Sequence, residues 1–159
     1  MIRQAAASDL PQILSIYATA REFMRQNGNP TQWPDHYPSR EMLLADMARK
    51  ELFVIEEDTV CACFLLASGP DPTYATILDG SWASDAPYGV LHRVASNGQK
   101  KGVLHTCVAF AAQHYTYLRI DTHEDNHPMQ NALLREGFTH RGTIFTDDGT
   151  GRLAYDLHI

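Results

Sequence analysis

Nothing in the chain is apolar over a membrane-spanning length. Uninterrupted apolar runs such as Cys61 to Ala67 fall far short of the ~20 residues that a spanning helix needs, and no basic-then-apolar leader opens the sequence. The expectation is a soluble, cytoplasmic protein without a membrane partner. Cations are also scarce: 13 Lys and Arg stand against 19 Asp and Glu, a formal charge of −6, and no basic run exceeds Lys100-Lys101. Neutralising a phosphate backbone takes clustered cations, so a nucleic-acid partner is not expected. Small cationic or neutral partners fit better. Cysteine is limited to three residues, and the spacing of Cys61 and Cys63 sets them on one face of a strand rather than in a redox or zinc motif. They read as small core residues. Repeats, low-complexity segments and linkers are lacking too, so residues 1–159 are expected to form one domain with a real core.

What is present alternates between sheet and helix patterns. Met1 to Ala5 reads as a short strand, and Ser8 and Asp9 as the start of a helix whose Leu10, Ile13, Leu14, Tyr17, Ala20 and Met24 share one face. Asn27 to Pro38 is dense in Gly, Pro and Asn yet carries Trp33, His36 and Tyr37, the composition of an ordered loop. Ser39 caps a second helix ending near Arg49. Leu52–Glu56 and Val60–Ala67 form a hairpin, and a second Pro/Gly-rich stretch from Gly69 to Pro87 contains Trp82. Tyr88–Ala95, the polar turn Ser96–Lys101 and the helical spacing from Val103 to His114 make a strand, loop and helix. Tyr117–Asp121 is a fifth strand, and the helix after it stops at Gly137, a natural left-handed terminator. Thr139–Phe145 and Arg152–Leu157 close a last hairpin. The order β α α β β β α β α β β argues for a mixed α/β fold, mostly antiparallel, with helices on both faces of the sheet.

The strand–loop–helix around Gln99 to Leu104 carries the clearest chemistry. A helix that begins there presents free backbone N–H groups and a positive dipole end, a place that receives phosphate. The six residues Gln99-Lys100-Lys101-Gly102-Val103-Leu104 resemble the Q/R-x-x-G-x-G/A pyrophosphate loop of the GNAT superfamily of N-acetyltransferases, with Leu104 departing from Gly or Ala. Asn126, Gly137 and Phe138 match the family's N-x(10)-G-F spacing, and Ile2-Arg3-Gln4-Ala5 before Ser8-Asp9-Leu10 resembles its opening. Longer stretches, 29–34, 91–96 and 121–126, are similar to a bacterial subgroup of acetyltransferases. The resemblance spans nearly the whole chain.

It implies acetyl-CoA as co-substrate, no metal, and a cofactor site formed by Val94, Ala95, Gln99, Lys100, Lys101, Gly102, Val103, Leu104 and Asn126. It implies transfer to a primary amine of a small molecule or peptide by direct attack, and leaves room for a homodimer. The tyrosine that many members carry seven residues after the asparagine, thought to protonate the leaving thiolate, is Leu133 here.

Other groups must then move protons. His92 and Tyr88 lie at even spacing on the strand before the loop, hence on one face. Tyr88 falls where histone-acetylating relatives place a catalytic glutamate, and is assigned as the acid. His92 and His123 are the candidate bases, since neutral imidazole titrates near working pH. Trp33, Tyr37 and Trp82 are expected to line the acceptor pocket. Cys107 falls on an apolar helix face, poorly suited to a nucleophile. Two other classes remain open, a non-catalytic acyl-CoA-binding protein and a zinc hydrolase. The latter would use His123-Glu124-x-x-His127, an H-E-x-x-H pattern that needs a helix to bring two imidazoles together. Pro128 and the preceding strand argue against that geometry.

Overall fold

The computed structural model describes residues 1–159. Its strands are β1 (Ile2–Gln4), β2 (Leu52–Glu56), β3 (Val60–Ser68), β4 (Gly89–Ser96), β5 (Tyr117–Thr122), β6 (Thr139–Phe145) and β7 (Gly151–His158). They form one sheet in the order β1-β2-β3-β4-β5-β7-β6. Every pairing is antiparallel except β4 with β5. The helices are α1 (Leu10–Gln26), α2 (Arg40–Ala48), α3 (Val103–Ala111) and α4 (His127–Arg135), with short 3-10 turns at Ala7–Asp9 and Pro72–Tyr74.

Local chemistry accounts for the ends of these elements. Ser39 caps α2 by accepting the Met42 N–H at 3.1 Å. Gly137, at φ +92°, lets the chain leave α4 in a Schellman turn: Gly137 N–H bonds to Leu134 C=O and Phe138 N–H to Leu133 C=O. Two cores then hold the layers. On one face Leu10, Ile13, Tyr17 and Leu43 from α1 and α2 pack on Leu52, Val54 and Cys63. On the other, α3 and α4 contribute Cys107, Ala111 and Leu133 against Phe64, Leu91, Leu118 and Tyr155. Burying each of the larger side chains contributes about 1.5–3 kcal/mol.

Two irregularities in β4 position the site. Its pairing with β5 is confined to Gly89 with Leu118 and Val90 with Arg119, so from Leu91 onward the two strands diverge. On its other edge, Leu65 pairs with His92 and Cys63 with Ala95, leaving Arg93 and Val94 opposite Phe64 alone. This is a β-bulge. Arg93 takes φ +50° there, unusual for a residue with a side chain, and the buried Tyr17 hydroxyl donates to its carbonyl at 2.8 Å.

Candidate active site

The gap between β4 and β5 opens into a groove with two lobes, of about 650 and about 350 Å³. Met24, Val94, Asn126 and Met129 border both, so the lobes meet at the bulge. The smaller lobe runs between α1 and α4 to the start of α3. Val94, Ala95, Val103, Leu104 and Asn126 line it, together with Gly98. Gln99, Lys100, Lys101 and Gly102 form the loop at its end rather than its wall, and Lys100 pairs with Glu57 at 3.0 Å. Gly102 caps α3 at φ +67°, and a Cβ there would meet nothing within 4 Å. The first helical bond runs from Thr106 N–H to Gly102 C=O, which leaves the N–H groups of the opening turn for a ligand. Leu104, where the family pattern has Gly or Ala, packs into the α3 core at 7% exposure.

The larger lobe lies on the α1/α2 side. Trp33 and Tyr37, from the loop between those helices, form one wall, and Trp33 packs edge-on against Tyr17 at 5.6 Å between centroids. His92 projects from the floor between two carboxylates. Its Nε2 lies 2.9 Å from Asp71 Oδ2, and its Nδ1 lies 3.9 Å from Asp121 Oδ2. Burial pushes the Asp71 carboxyl upward, but the bonds from His92 and from the hydroxyl and backbone N–H of Thr73 outweigh it and hold the group at about 2. Asp71 is therefore an anion placed to accept from His92 Nε2, and in a neutral ring so oriented Nδ1 is the acceptor. Tyr74 donates to Asp121 Oδ2 at 2.7 Å. Burial first, and then the Asp121 charge, raise the Tyr74 hydroxyl well above its ordinary range, so it stays a donor.

Three of the expected site residues lie elsewhere. Tyr88 shares a face with His92, but at the paired end of β4, away from the groove. Its hydroxyl accepts the Asp71 N–H at 2.9 Å and its ring covers Arg119 at 4.0 Å. It lines neither lobe, and its hydroxyl anchors the Asp71 turn. Trp82 likewise stacks on Arg119, at 4.2 Å, and its indole N–H is bound to Tyr74 C=O at 3.0 Å, so it is outside the acceptor pocket. His123 is buried at 7% exposure and lines neither lobe; its Nδ1 accepts the Asp125 N–H at 3.0 Å and its Nε2 faces Thr31 Oγ1 at 3.4 Å. The turn thus engages its acceptor nitrogen. The H-E-x-x-H stretch is not helical at its start: α4 begins only at His127, and the two imidazoles share no helical face. The Cys107 thiol is fully buried, and that burial raises its pKa.

Asp71, Tyr74 and Asp121 are the groups that sequence reading missed. Asp71 and Tyr74 stand 21 and 18 positions before His92 in a stretch legible only as Pro/Gly-rich loop. A second group, Gln32, ties the lobes together. Its Oε1 accepts from Asn29 Nδ2 and Asn126 Nδ2, both at 2.9 Å, and from the His123 N–H at 3.4 Å. Asn126 in turn caps α4 by accepting the Met129 N–H at 3.2 Å.

The sequence matches no family model and no curated protein. The structure is similar to solved ones. An acetyltransferase of the GNAT family from Streptococcus agalactiae is 28% identical with a TM-score of 0.90, the match covering 100% of this chain and 95% of that one. A GNAT-family acetyltransferase from Listeria monocytogenes is 17% identical with a TM-score of 0.72, over 100% and 94%. The ribosomal-protein-alanine N-acetyltransferase from Brucella melitensis is 19% identical with a TM-score of 0.63, over 100% and 99%. The last two share the fold; the first adds sequence along the whole length, and on that likeness the chain belongs to the GNAT superfamily.

Proposed function

We propose that the chain is an acetyl-CoA-dependent N-acetyltransferase that moves an acetyl group to a primary amine by direct attack. The observation that carries this reading is the two-lobed groove, with unbonded backbone N–H groups of a helix start at one end and an aspartate-oriented histidine at the other. The residues of the small lobe fit a diphosphate-bearing thioester: the α3 N-terminus is open above Gly102, and the wall toward the bulge is mostly apolar. Acetyl-CoA supplies a thioester carbonyl to be attacked.

The chain's own groups do the rest. His92 Nδ1 takes the proton from the acceptor amine, while Asp71 holds the Nε2–H and stabilises the imidazolium that forms. A backbone N–H at the Arg93–Val94 bulge is suited to the developing oxyanion, since the bulge turns ladder groups away from β3. Leu133 is buried in the core at 0% exposure, so no hydroxyl stands at the family's tyrosine position. A thiolate whose conjugate acid titrates near ~8.5 departs without a general acid. The test is thiol release from acetyl-CoA over a panel of amines, read beside the melting shift caused by acetyl-CoA alone. Release with at least one amine supports the reading; a shift without release from any amine would favour a non-catalytic acyl-CoA-binding protein.

A further inference from the structure

Three arginines line the larger lobe. Arg49 and Arg93 both reach the buried Asp46. Arg152 reaches no carboxylate. It is 7% exposed, and its two hydrogen bonds, each 3.1 Å, go to the backbone carbonyls of Gly151 and Gln32. A buried cation without a direct ion pair is costly, and proteins compensate it. Arg119, the other buried arginine without an acid partner, is covered by the rings of Trp82, Tyr88 and Tyr117. Arg152 has no such cover. Asp148, close in sequence, is exposed; its hydrogen bonds go to Thr146 and Thr150, and Arg152 acts on it only through its charge, without a direct ion pair. The charge of Arg152 is thus left for something that enters the groove.

Its place on the sheet says what else that molecule carries. Asp121 of β5 pairs with Ala154 of β7, so Arg152, two residues along, lies on the same face and diagonal to Asp121, a separation of ~7–8 Å between backbones and somewhat less between Cβ atoms. Tyr74 holds one oxygen of Asp121, and the other has no partner. The floor therefore sets an anionic group beside His92 next to an unpaired cation, with a gap of a few bonds between them.

We propose that the acceptor is a free amino acid, its carboxylate bound by Arg152 and its amine delivered to His92 beside Asp121. This rests on the acetyl-transfer reading above. The opposed charges on one floor orient an amine and a carboxylate joined through a single carbon. A protein N-terminus, which lacks that carboxylate, leaves Arg152 unpaired.

The experiment uses matched trios: each amino acid, its carboxamide and the amine left on removing the carboxylate, assayed for thiol release from acetyl-CoA. At least one amino acid should exceed its carboxamide and its amine by about 10²-fold in kcat/KM, the scale of losing a charged hydrogen-bonded pair. Arg152→Gln, which can still donate to Gln32, should bring the amino acid down to the level of its carboxamide while keeping the acetyl-CoA melting shift. Arg152→Lys should restore part of the preference, and serves alone should the glutamine variant fail to fold. Equal or better turnover of the carboxamides and amines overturns the proposal, as does discrimination that survives Arg152→Gln. If nothing in the panel is acetylated, the melting temperature in the presence of CoA decides. A shift with an amino acid but not its carboxamide sustains the carboxylate site, and no shift with any amino acid overturns it. Failure of the acetyl-transfer reading itself looks different: no amine of any class releases thiol, whether or not acetyl-CoA shifts the melting temperature.

Discussion

His92 and Asp71 meet at 2.9 Å across the floor of the larger lobe, brought together by the turn at Pro72–Tyr74 folding back over β4. The pair fixes which ring nitrogen is free. His92→Gln should lower kcat by a factor of about 10²–10⁴, the range for a single general base. Asp71→Asn should lower it by less, and both variants should keep the acetyl-CoA melting shift. Unimpaired turnover in His92→Gln would remove the base from the mechanism and leave orientation of an already neutral amine.

Asp71 also sets an acid limit. An unfolded aspartate takes up its proton near ~3.9, whereas the folded group holds out to about 2. Between those values the unfolded state binds more protons, so stability falls as pH falls. The contribution of Asp71 is complete above about pH 4 and is lost on the way down to about pH 2. Urea melts of the wild type and Asp71→Asn over that range should converge as the solution becomes more acidic. Divergence toward low pH would mean that the carboxylate is not held by its partners.

Gly102 separates sterics from charge. Alanine and glutamate at this position share the same left-handed strain, and the Cβ common to both meets nothing within 4 Å. Gly102→Ala should retain most of the acetyl-CoA melting shift, and Gly102→Glu, with an anion set against the diphosphate, should abolish it. Equal shifts in both variants would move the cofactor away from the α3 start.

Thr122 is fully buried at the end of β5, and its hydroxyl has no hydrogen-bond partner. Thr122→Val keeps the shape and removes the orphaned group. The variant should be more stable by about 1 kcal/mol, seen as a rise of ~2–4 °C in Tm. A loss of stability would reveal a partner for that hydroxyl in solution.

Element order was legible because each segment announces itself locally: helical spacing from Leu10 to Met24, the Ser39 cap, the Gly137 stop. The site was legible only where it too is local. His92 and the loop at Gln99–Leu104 follow one another on a strand and a helix. Asp71 and Tyr74 acquire their meaning by crossing to β4 and β5, and no spacing within their own loop encodes that approach. Tyr88 marks the limit of face arguments. Two residues on one side of a strand share a pocket only if the strand keeps the same neighbour, and β4 loses β5 between them. His123 sits at the strand end as expected, but its ring folds back onto the Asp125 amide, a bond made by the turn rather than by the strand.

The carboxamide of Gln32 constrains how this chain can diversify. One oxygen satisfies donors from the α1–α2 loop, the end of β5 and the cap of α4, so replacing residue 32 alone takes the acceptor from all three. Across descendants positions 29, 32 and 126 should covary as a block. Changes in acceptor choice should instead accumulate on the apolar walls outside the knot, at Met42, Ala45, Leu65 and Ala67, which can exchange one at a time without disturbing the junction of the two lobes.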